Sequence, residues 1–262
     1  MKTALIGYTG FVGSSLRAQR SFEGLFNSAN FQDMAGQSFD LMVCAGLPAT
    51  KWKINQDPQA DWTNILKLQS VLERVTAKEF VLISTIDVYP GRAGWNEDAP
   101  FPALSEMNAY GYHRLLFECF TAHTFSKTAI VRLPGLFGAG LKKNVIFDLL
   151  NNNALEVINP ESIFQWYPTA RLWRDIETVR EAGLRVCNLF PEPIPTARIL
   201  AELFPGKQVG QKAGPAITYD MHTQYGALFD CSLPNYMDTA EGVLEQLTHY
   251  VRHEATVPRK AG

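Results

Sequence analysis

Two segments of the sequence carry side chains that could move a proton. Thr85 and Asp87 follow the apolar run 80–83, and Tyr110 stands four residues before Arg114 in a segment with helical spacing. Residues four apart on a helix share a face, and a nearby cation lowers the pKa of a tyrosine. A tyrosine so placed can donate a proton to a carbonyl oxygen that becomes negative on accepting a hydride, and a Thr85 hydroxyl can hold the same oxygen.

A glycine-rich stretch could bind phosphate. Residues 7–13 read Gly-Tyr-Thr-Gly-Phe-Val-Gly and lie between a predicted strand, 3–6, and a predicted helix, 11–19. Glycines let the backbone approach a pyrophosphate, and the helix N-terminus offers free N–H groups. The strand-loop-helix context makes this pattern specific, although a tight turn without a ligand is the alternative. The predicted contacts are Gly7, Thr9, Gly10, Phe11, Val12 and Gly13.

If the pyrophosphate belongs to a nicotinamide dinucleotide, the end of the next predicted strand, 24–26, bears on the choice between NAD and NADP. An acid there would bind the adenosine ribose of NAD, but the sequence continues with Asn27 and Ser28. Both residues could hydrogen-bond a 2′-phosphate, and neither repels one. The strand end has no arginine to pair with the phosphate, so NADP is slightly favoured and NAD stays open. These residues could equally be ordinary turn residues.

Strands and helices alternate along the chain, which predicts an α/β fold with a parallel sheet and helices on both faces. The predicted strands are 3–6, 24–26, 39–45, 80–83, 129–133 and 186–189, and the predicted helices are 11–19, 57–75, 110–125, 145–150 and 196–203. The link from 27 to 39 is short for a parallel crossover, so one element is short or missing there. We expect a doubly wound, Rossmann-type dinucleotide domain over 1–140. A small, mixed substrate lobe over 141–262 also returns elements to the sheet.

These motifs, in this order, resemble the extended short-chain dehydrogenase/reductase (NAD-dependent epimerase/dehydratase) family, and within it dTDP-4-dehydrorhamnose reductase-like proteins. The resemblance covers the first 150 residues. It is carried by the glycine loop, the Ser-Thr-x-x-Val-Tyr strand end at 84–89, the Pro- and acid-rich loop 90–105, Tyr-Gly-x-x-Arg at 110–114, and Arg-Leu-Pro-Gly-Leu-Phe-Gly at 132–138. The last third of the chain resembles the family only loosely.

The resemblance implies roles for particular residues. Tyr110 would be the acid/base, Thr85 the orienting hydroxyl, and Arg114 a contact of the nicotinamide ribose. Further cofactor contacts would come from strand ends and from the segment beside the nicotinamide. These contacts are Cys44, Ala45, Gly46, Ser84 and Pro134. The family pattern has no chemical role for His113, so we expect it on the helix surface.

Two positions depart from the family pattern. Arg114 stands where the family has lysine. An arginine keeps the charge but does not readily release a proton, because its pKa is above about 12. Asp87 stands where dehydratases carry a glutamate used in elimination, and Ile86 replaces their neighbouring acid. Asp87 could be a base, but a local hydrogen-bonding role is favoured, so reduction or epimerisation is expected rather than dehydration.

Bulk properties exclude several function classes. The net charge of −2 offers no electrostatic basis for binding nucleic acid or an anionic membrane, and 46% hydrophobic residues indicate a globular chain. No apolar run approaches a membrane helix, and the first residues lack the apolar region of a leader, so we expect a cytoplasmic protein. The four cysteines form no CxxC pair and no metal site is expected; Cys44 and Cys119 are predicted to be core residues.

The substrate crevice of such a sheet lies beyond the carboxyl ends of its strands. Lys142, Asn144 and Arg171 are candidates to bind a diphosphate there, with segments 51–53, 141–144 and 165–167 around it; surface charge is an equal alternative. We therefore predict an NAD(P)-dependent reductase or epimerase acting on a nucleotide sugar or similar carbonyl or hydroxyl compound. The rival hypothesis is a non-catalytic dinucleotide-binding sensor or scaffold with a degenerate site, motivated by Arg114. A homodimer stays open.

Overall fold

A computed structural model describes residues 1–256 of the chain, and residues 257–262 of the predicted lobe lie outside it. The chain divides into two compact units. The first comprises Met1–Gly91, Glu97–Leu133 and Arg171–Asn188, and the second comprises Arg92–Asn96, Pro134–Ala170 and the chain from Leu189 onward. The domain boundary near residue 140 stays a prediction. Each compact unit is formed by three separate segments of the chain, whereas the predicted boundary divides the chain at one position.

The described elements follow one another along both units. In chain order they are β1 Thr3–Ile6, α1 Phe11–Gln19, β2 Gly24–Phe26, β3 Ser38–Cys44, α2 Lys51–Gln56, α3 Pro58–Leu72, β4 Thr76–Thr85, α4 Ala109–Thr124, β5 Thr128–Leu133, β6 Gly135–Phe137, α5 Val145–Asn151, β7 Ile163–Phe164, β8 Trp166–Pro168, α6 Leu172–Glu181, β9 Val186–Asn188, β10 Ile194–Pro195, α7 Thr196–Leu203 and α8 Ala240–Thr256.

The first unit is built on a six-stranded parallel sheet in the order β2-β1-β3-β4-β5-β9. β1 and β5 are buried along their whole length, as expected for parallel strands covered on both faces. The link from β2 to β3 contains only a 3-10 turn, Phe31–Met34, which confirms that the crossover element there is short. The α/β prediction is confirmed, and the order reverses beside β1, where a ligand crevice is expected.

Local capping explains where the two helices that matter most begin. The Asp57 side chain accepts a hydrogen bond from the Ala60 N–H and Pro58 occupies the first turn of α3, a favoured start for a helix. Asn108 caps α4 by accepting from the Gly111 N–H. These caps, together with apolar faces packed on the sheet, set the positions from which α3 and α4 present their polar residues.

The second unit has its own apolar core around β8, α5, α7 and α8. β6 pairs in parallel with β8, and β10 pairs antiparallel with β7. The helix α8 was not predicted, although Ala240, Val243, Leu244 and Leu247 recur at helical spacing and are buried. Within residues 1–256, no helix has the length and apolar character needed to cross a bilayer.

The structure separates two cysteines that the sequence treats alike. Cys44 is fully buried at the end of β3, as predicted, and burial raises the pKa of its thiol to about 11. The core prediction for Cys119 is wrong, because its position on α4 is exposed. Among the described residues, no group of three or more histidine, cysteine, aspartate or glutamate side chains could hold a metal ion.

Candidate active site

The glycine loop turns between β1 and α1 in a conformation that demands glycine. Gly7 has a φ of +84°, and a Cβ added there would lie 2.4 Å from the Ala45 carbonyl oxygen. A Cβ on Gly13 would lie 2.0 Å from the carbonyl oxygen of Gly7. Both contacts are far too short, so the glycines let the loop, the first turn of α1 and the end of β3 approach one another.

The first turn of α1 suits an anion. Its N-cap, Gly10, has no side chain, and within this described helix the first turn contains no acidic residue. Thr9 and Gly10 are exposed, while Phe11 and Val12 are partly so. Backbone N–H groups and the positive end of the helix dipole therefore face outward without a competing carboxylate. These residues fit a dinucleotide pyrophosphate.

An arginine that the strand-end argument missed lies beside the second residue of this loop. The Arg17 guanidinium of α1 lies 5.7 Å from the centre of the Tyr8 ring. Asn27, just after β2, donates its side-chain N–H to the Tyr8 hydroxyl at 3.3 Å. Arg17 and Ser28 are both exposed. The arginine that the end of β2 lacks is thus supplied from α1 by Arg17. Its position near Asn27 is visible only from the packing of both residues on Tyr8.

The structure brings Thr85 and Tyr110 together. Thr85 is the last residue of β4, and its hydroxyl accepts the Asp87 N–H at 3.2 Å and hydrogen-bonds the Tyr110 side chain. A Cβ on Gly111 would lie 2.0 Å from the Asp87 carbonyl oxygen, so glycine after the tyrosine lets α4 begin directly against this turn. The predicted strand end and the predicted helix start therefore converge on one pair of hydroxyl groups.

The charge environment of Tyr110 differs from the sequence expectation. Tyr110 is only 8% exposed, and burial raises the pKa of its phenol above the ordinary value. Arg114 and the hydrogen bond from Thr85 lower that pKa, but their sum does not overcome burial, and the Asp87 charge raises the pKa further. The protein by itself does not lower the pKa of Tyr110 towards neutral pH, and an added cation would be needed to do so.

Arg114 is held by a buried acid. Its Nη1 and Nη2 donate to the two carboxylate oxygens of Asp61 at 2.5 and 3.0 Å, and Nη2 also donates to the Pro48 carbonyl at 2.5 Å. Both ionic side chains are nearly inaccessible, at 3% and 2% exposure. The guanidinium carbon remains 4.3 Å from the centre of the Tyr110 ring. The planar, bidentate geometry is one that lysine cannot reproduce.

Asp61 is the main residue that sequence reasoning missed. It stands on the buried face of α3 with Ile65, Leu68 and Leu72, and a lone acid in such an apolar stripe was the available signal. His113 Nδ1 lies 2.8 Å from the same carboxylate. The prediction that His113 is a helix-surface residue is wrong, because it is 9% exposed and packs in this buried cluster.

Ser84, predicted to contact the cofactor, belongs to a buried ionic network. Its hydroxyl donates to Glu118 at 2.5 Å, and Glu118 accepts two hydrogen bonds from Arg132 at 3.0 and 2.6 Å. Arg132 also donates to the Tyr89 hydroxyl at 2.7 Å, and burial raises the pKa of Tyr89 to about 12. The network joins β4, α4 and β5. In this network, Ser84 and Tyr89 of the Ser-Thr-x-x-Val-Tyr motif and Arg132 of the Arg-Leu-Pro motif have structural roles.

The other predicted cofactor contacts lie at chain segments that follow strands. Cys44 ends β3, and the Ala45 N–H donates to the Ile6 carbonyl at 2.9 Å. Gly46 is tightly packed, since a Cβ there would lie 2.8 Å from the Ile6 side chain. Pro134 follows β5 and is buried in the second unit. Cys44 is fully buried, whereas Ala45 is partly exposed.

The candidate substrate residues belong to different units. Asn144 uses its amide and carbonyl groups to bond the Leu136 carbonyl and the Phe147 N–H, and thereby caps α5. Lys142, in the same unit, is exposed. Arg171, in the first unit, pairs with Asp175 at 2.7 Å. Asn144 and Arg171 thus have structural partners, and a substrate role for any of the three stays a prediction.

Comparison with protein-family models found no match, and comparison with curated protein sequences found none either. Solved structures are similar over nearly the whole chain. A dTDP-4-dehydrorhamnose reductase from Clostridium acetobutylicum is 16% identical, with 98% of this chain and 100% of that one covered and a TM-score of 0.66. The UDP-glucose 4-epimerase from Thermotoga maritima, solved with UDP-glucose, is 14% identical, with 97% and 98% covered and a TM-score of 0.69.

A third similar structure is a double mutant of the dTDP-glucose 4,6-dehydratase DesIV from Streptomyces venezuelae, with NAD and DAU bound. It is 14% identical, with 98% of this chain and 97% of that one covered and a TM-score of 0.69. The chain therefore has the Rossmann-type fold of the reductases, epimerases and dehydratases that the sequence motifs resemble.

Proposed function

We propose that the chain is an NAD(P)-dependent reductase or epimerase of the extended short-chain dehydrogenase/reductase type, acting on a nucleotide sugar or similar carbonyl or hydroxyl compound. The observation that carries the proposal is the hydrogen-bonded pair of Thr85 and Tyr110, which lies in the same unit as an uncapped, glycine-lined helix start. Similar structures that hold NAD or UDP-glucose support this cofactor and substrate class.

Each residue has a task in the proposed reaction. A bound nicotinamide dinucleotide supplies or accepts the hydride. The first turn of α1 holds the pyrophosphate by its backbone N–H groups. Gly7 and Gly10, whose own N–H groups donate to the Phe26 and Gly7 carbonyls, shape the loop that lets the pyrophosphate approach. Thr85 orients the reacting oxygen, and Tyr110 gives a proton to that oxygen in reduction or removes it in oxidation. Arg114, 4.3 Å from the Tyr110 ring centre, stabilises the phenolate that proton donation leaves.

We propose NADP as the preferred cofactor, on the basis of Arg17. A 2′-phosphate is recognised by a guanidinium together with hydrogen-bond donors. Arg17 is exposed beside Tyr8, and Asn27 and Ser28 follow β2 without a carboxylate among them. A negatively charged side chain at this strand end would favour NAD instead.

A second candidate function is a dinucleotide-binding sensor or scaffold, and one observation favours it. The Arg114 charge is neutralised by Asp61, and burial raises the pKa of Tyr110, so proton release from the phenol is unfavourable. A protein with these properties could bind a dinucleotide and respond to it without turnover.

A single set of measurements separates these candidates. NADPH and NADH are titrated against the full chain by fluorescence, and nucleotide sugars are then screened for oxidation of the bound cofactor. An enzyme loses about 100-fold or more of its rate in Tyr110→Phe, because a general acid contributes at least that factor. Tyr112→Phe, a partly buried tyrosine on the same helix, is the control.

The outcomes are distinct. Turnover lost in Tyr110→Phe but kept in Tyr112→Phe supports the reductase or epimerase. Binding without turnover, restored by Arg114→Lys, supports a decayed enzyme or sensor. Failure to bind either cofactor contradicts both candidates.

A further inference from the structure

An ion pair that the proposed mechanism does not use lies beside Tyr110. Lys51 Nζ, at the start of α2, is 2.5 Å from Asp87 Oδ1, in the 3-10 turn after β4. The Asp87 side chain is 16% exposed and the Lys51 side chain 38% exposed, so the pair is partly shielded from water. Thr85 connects this turn to Tyr110, because its hydroxyl bonds both the Asp87 N–H and the Tyr110 side chain.

A second contact docks α2 against the start of α4. The Asn55 side chain accepts the Tyr110 N–H at 3.0 Å, which satisfies one of the unpaired donors in the first turn of α4. Lys51 and Asn55 are four residues apart on α2 and so lie on the same face. The short helix α2 therefore presents a hydrogen-bond acceptor to the Tyr110 backbone and a cation to the neighbouring Asp87.

The charged groups around Tyr110 have opposing effects. On α4, Arg114 favours the phenolate, but its guanidinium is bound by Asp61 of α3, which His113 also contacts. In the turn after β4, Asp87 disfavours the phenolate, and Lys51 of α2 favours it. Without the Lys51 charge, Asp87 would oppose ionisation of Tyr110 more strongly.

We propose that Lys51 is a positioning residue for the reaction, which neutralises Asp87 and so lets Tyr110 exchange its proton. The inference rests on the proposed function for its catalytic meaning. In this proposal, two cations share the role that a single lysine has in the family pattern. Arg114, fixed by Asp61, supports the helix and the ring from one side, and Lys51 controls the acid on the other. Asp87 then acts through its charge and not as a base.

The test is a double-mutant cycle read by pH dependence. Lys51→Gln removes the cation paired with Asp87 and raises the apparent pKa of the Tyr110 limb by about one unit, or tenfold in proton affinity. Asp87→Asn lowers it, and the double variant returns near the wild-type value, because the two residues in contact act as one unit. Lys51→Arg keeps the charge and restores the wild-type profile. Lys67→Gln, an exposed lysine on α3, is the control.

Two readouts keep this inference separable from the proposed function. The first is the pH profile of cofactor oxidation. The second needs no turnover: the phenolate absorbance of the full chain, minus that of the same protein carrying Tyr110→Phe, reports ionisation of Tyr110 alone. If the wild type turns over but Lys51→Gln leaves the limb unchanged, the inference is overturned and the function stands.

If the wild type does not turn over, the proposed function fails and the absorbance titration decides. An upward shift in Lys51→Gln that Asp87→Asn reverses supports the inference. Equal titrations in all variants overturn it. Thermal denaturation of each variant identifies any that is unfolded. If Lys51→Gln is unfolded, the single variants Lys51→Arg and Asp87→Asn are compared with the wild type instead. Lys51→Arg matching the wild type, with Asp87→Asn shifted downward, supports the inference, and no shift in Asp87→Asn overturns it.

Discussion

Replacing Arg114 with methionine tests whether the buried ion pair holds α4 in place. The substitution removes a bidentate pair to Asp61 and a hydrogen bond to the Pro48 carbonyl, with bond lengths of 2.5, 3.0 and 2.5 Å. Methionine retains much of the aliphatic volume, so packing changes little. Asp61 would be left buried with a negative charge, and His113 Nδ1 would lie 2.8 Å from its carboxylate.

The expected loss follows from leaving one partner of a buried pair uncompensated, which costs about 3–5 kcal/mol of unfolding free energy. For a chain of this size each kcal/mol shifts Tm by about 2–4 °C, so Tm should fall by about 6–20 °C. The double variant Arg114→Met with Asp61→Leu removes both charges. It should lose less than Arg114→Met alone, because replacing the whole pair by apolar residues is close to neutral.

The assay is urea and thermal denaturation of the full chain, with Arg198→Met as the matched control. Arg198 on α7 pairs with Glu202 and Glu241, but it is 36% exposed. Exposed pairs contribute about 1 kcal/mol or less. If Arg114→Met loses no more stability than Arg198→Met, the view that Arg114 is a buried, charge-compensated anchor is refuted.

Three further predictions concern the cofactor site and a thiol. Gly13→Ala places a Cβ 2.0 Å from the Gly7 carbonyl oxygen and should abolish NADPH binding measured by fluorescence. The control Gly214→Ala, whose added Cβ meets nothing within 4 Å, should bind NADPH normally. Equal binding by the two variants would contradict the role of the glycine loop. Arg17→Ala should weaken NADPH binding about tenfold and leave NADH unchanged, since only NADPH has a 2′-phosphate, and equal loss for both would refute NADP selection by Arg17. Cys44, with its thiol pKa raised to about 11, should not be labelled by a thiol reagent at pH 8 until urea unfolds the chain. Mass spectrometry of proteolytic peptides distinguishes it from the exposed Cys119, and prompt labelling of the Cys44 peptide in native buffer would contradict its burial.

Much of the first unit could be predicted from the sequence because its signals are local. Apolar runs identify β1 and β5, and the helix α7 begins and ends where the sequence predicts, at 196 and 203. The second unit was less predictable. Its strands β7 and β10 are two residues long, and pairing with distant residues defines them more than their own pattern does.

The candidate site divides in the same way. Residues 7–13 could be identified from the sequence because glycine spacing reflects short-range geometry, and Tyr110 because Tyr-Gly-x-x-Arg at 110–114 resembles the family motif. The partners of those residues could not. Arg114 and Asp61 are 53 positions apart, and Lys51 and Asp87 are 36 apart. No spacing rule connects residues on different elements, so only the packing of α2 and α3 on α4 decides which acid each cation meets.

By itself, then, the sequence determined a parallel α/β fold, and it predicted a glycine loop suited to a pyrophosphate and a tyrosine and threonine suited to proton transfer. Tertiary structure decided the electrostatics. It buried Tyr110, bound the charge of Arg114 to Asp61, and set Lys51 against Asp87. The reason is physical: residue type sets which charge a side chain can carry, whereas burial and neighbouring charges, which set its proton affinity, exist only after distant elements pack.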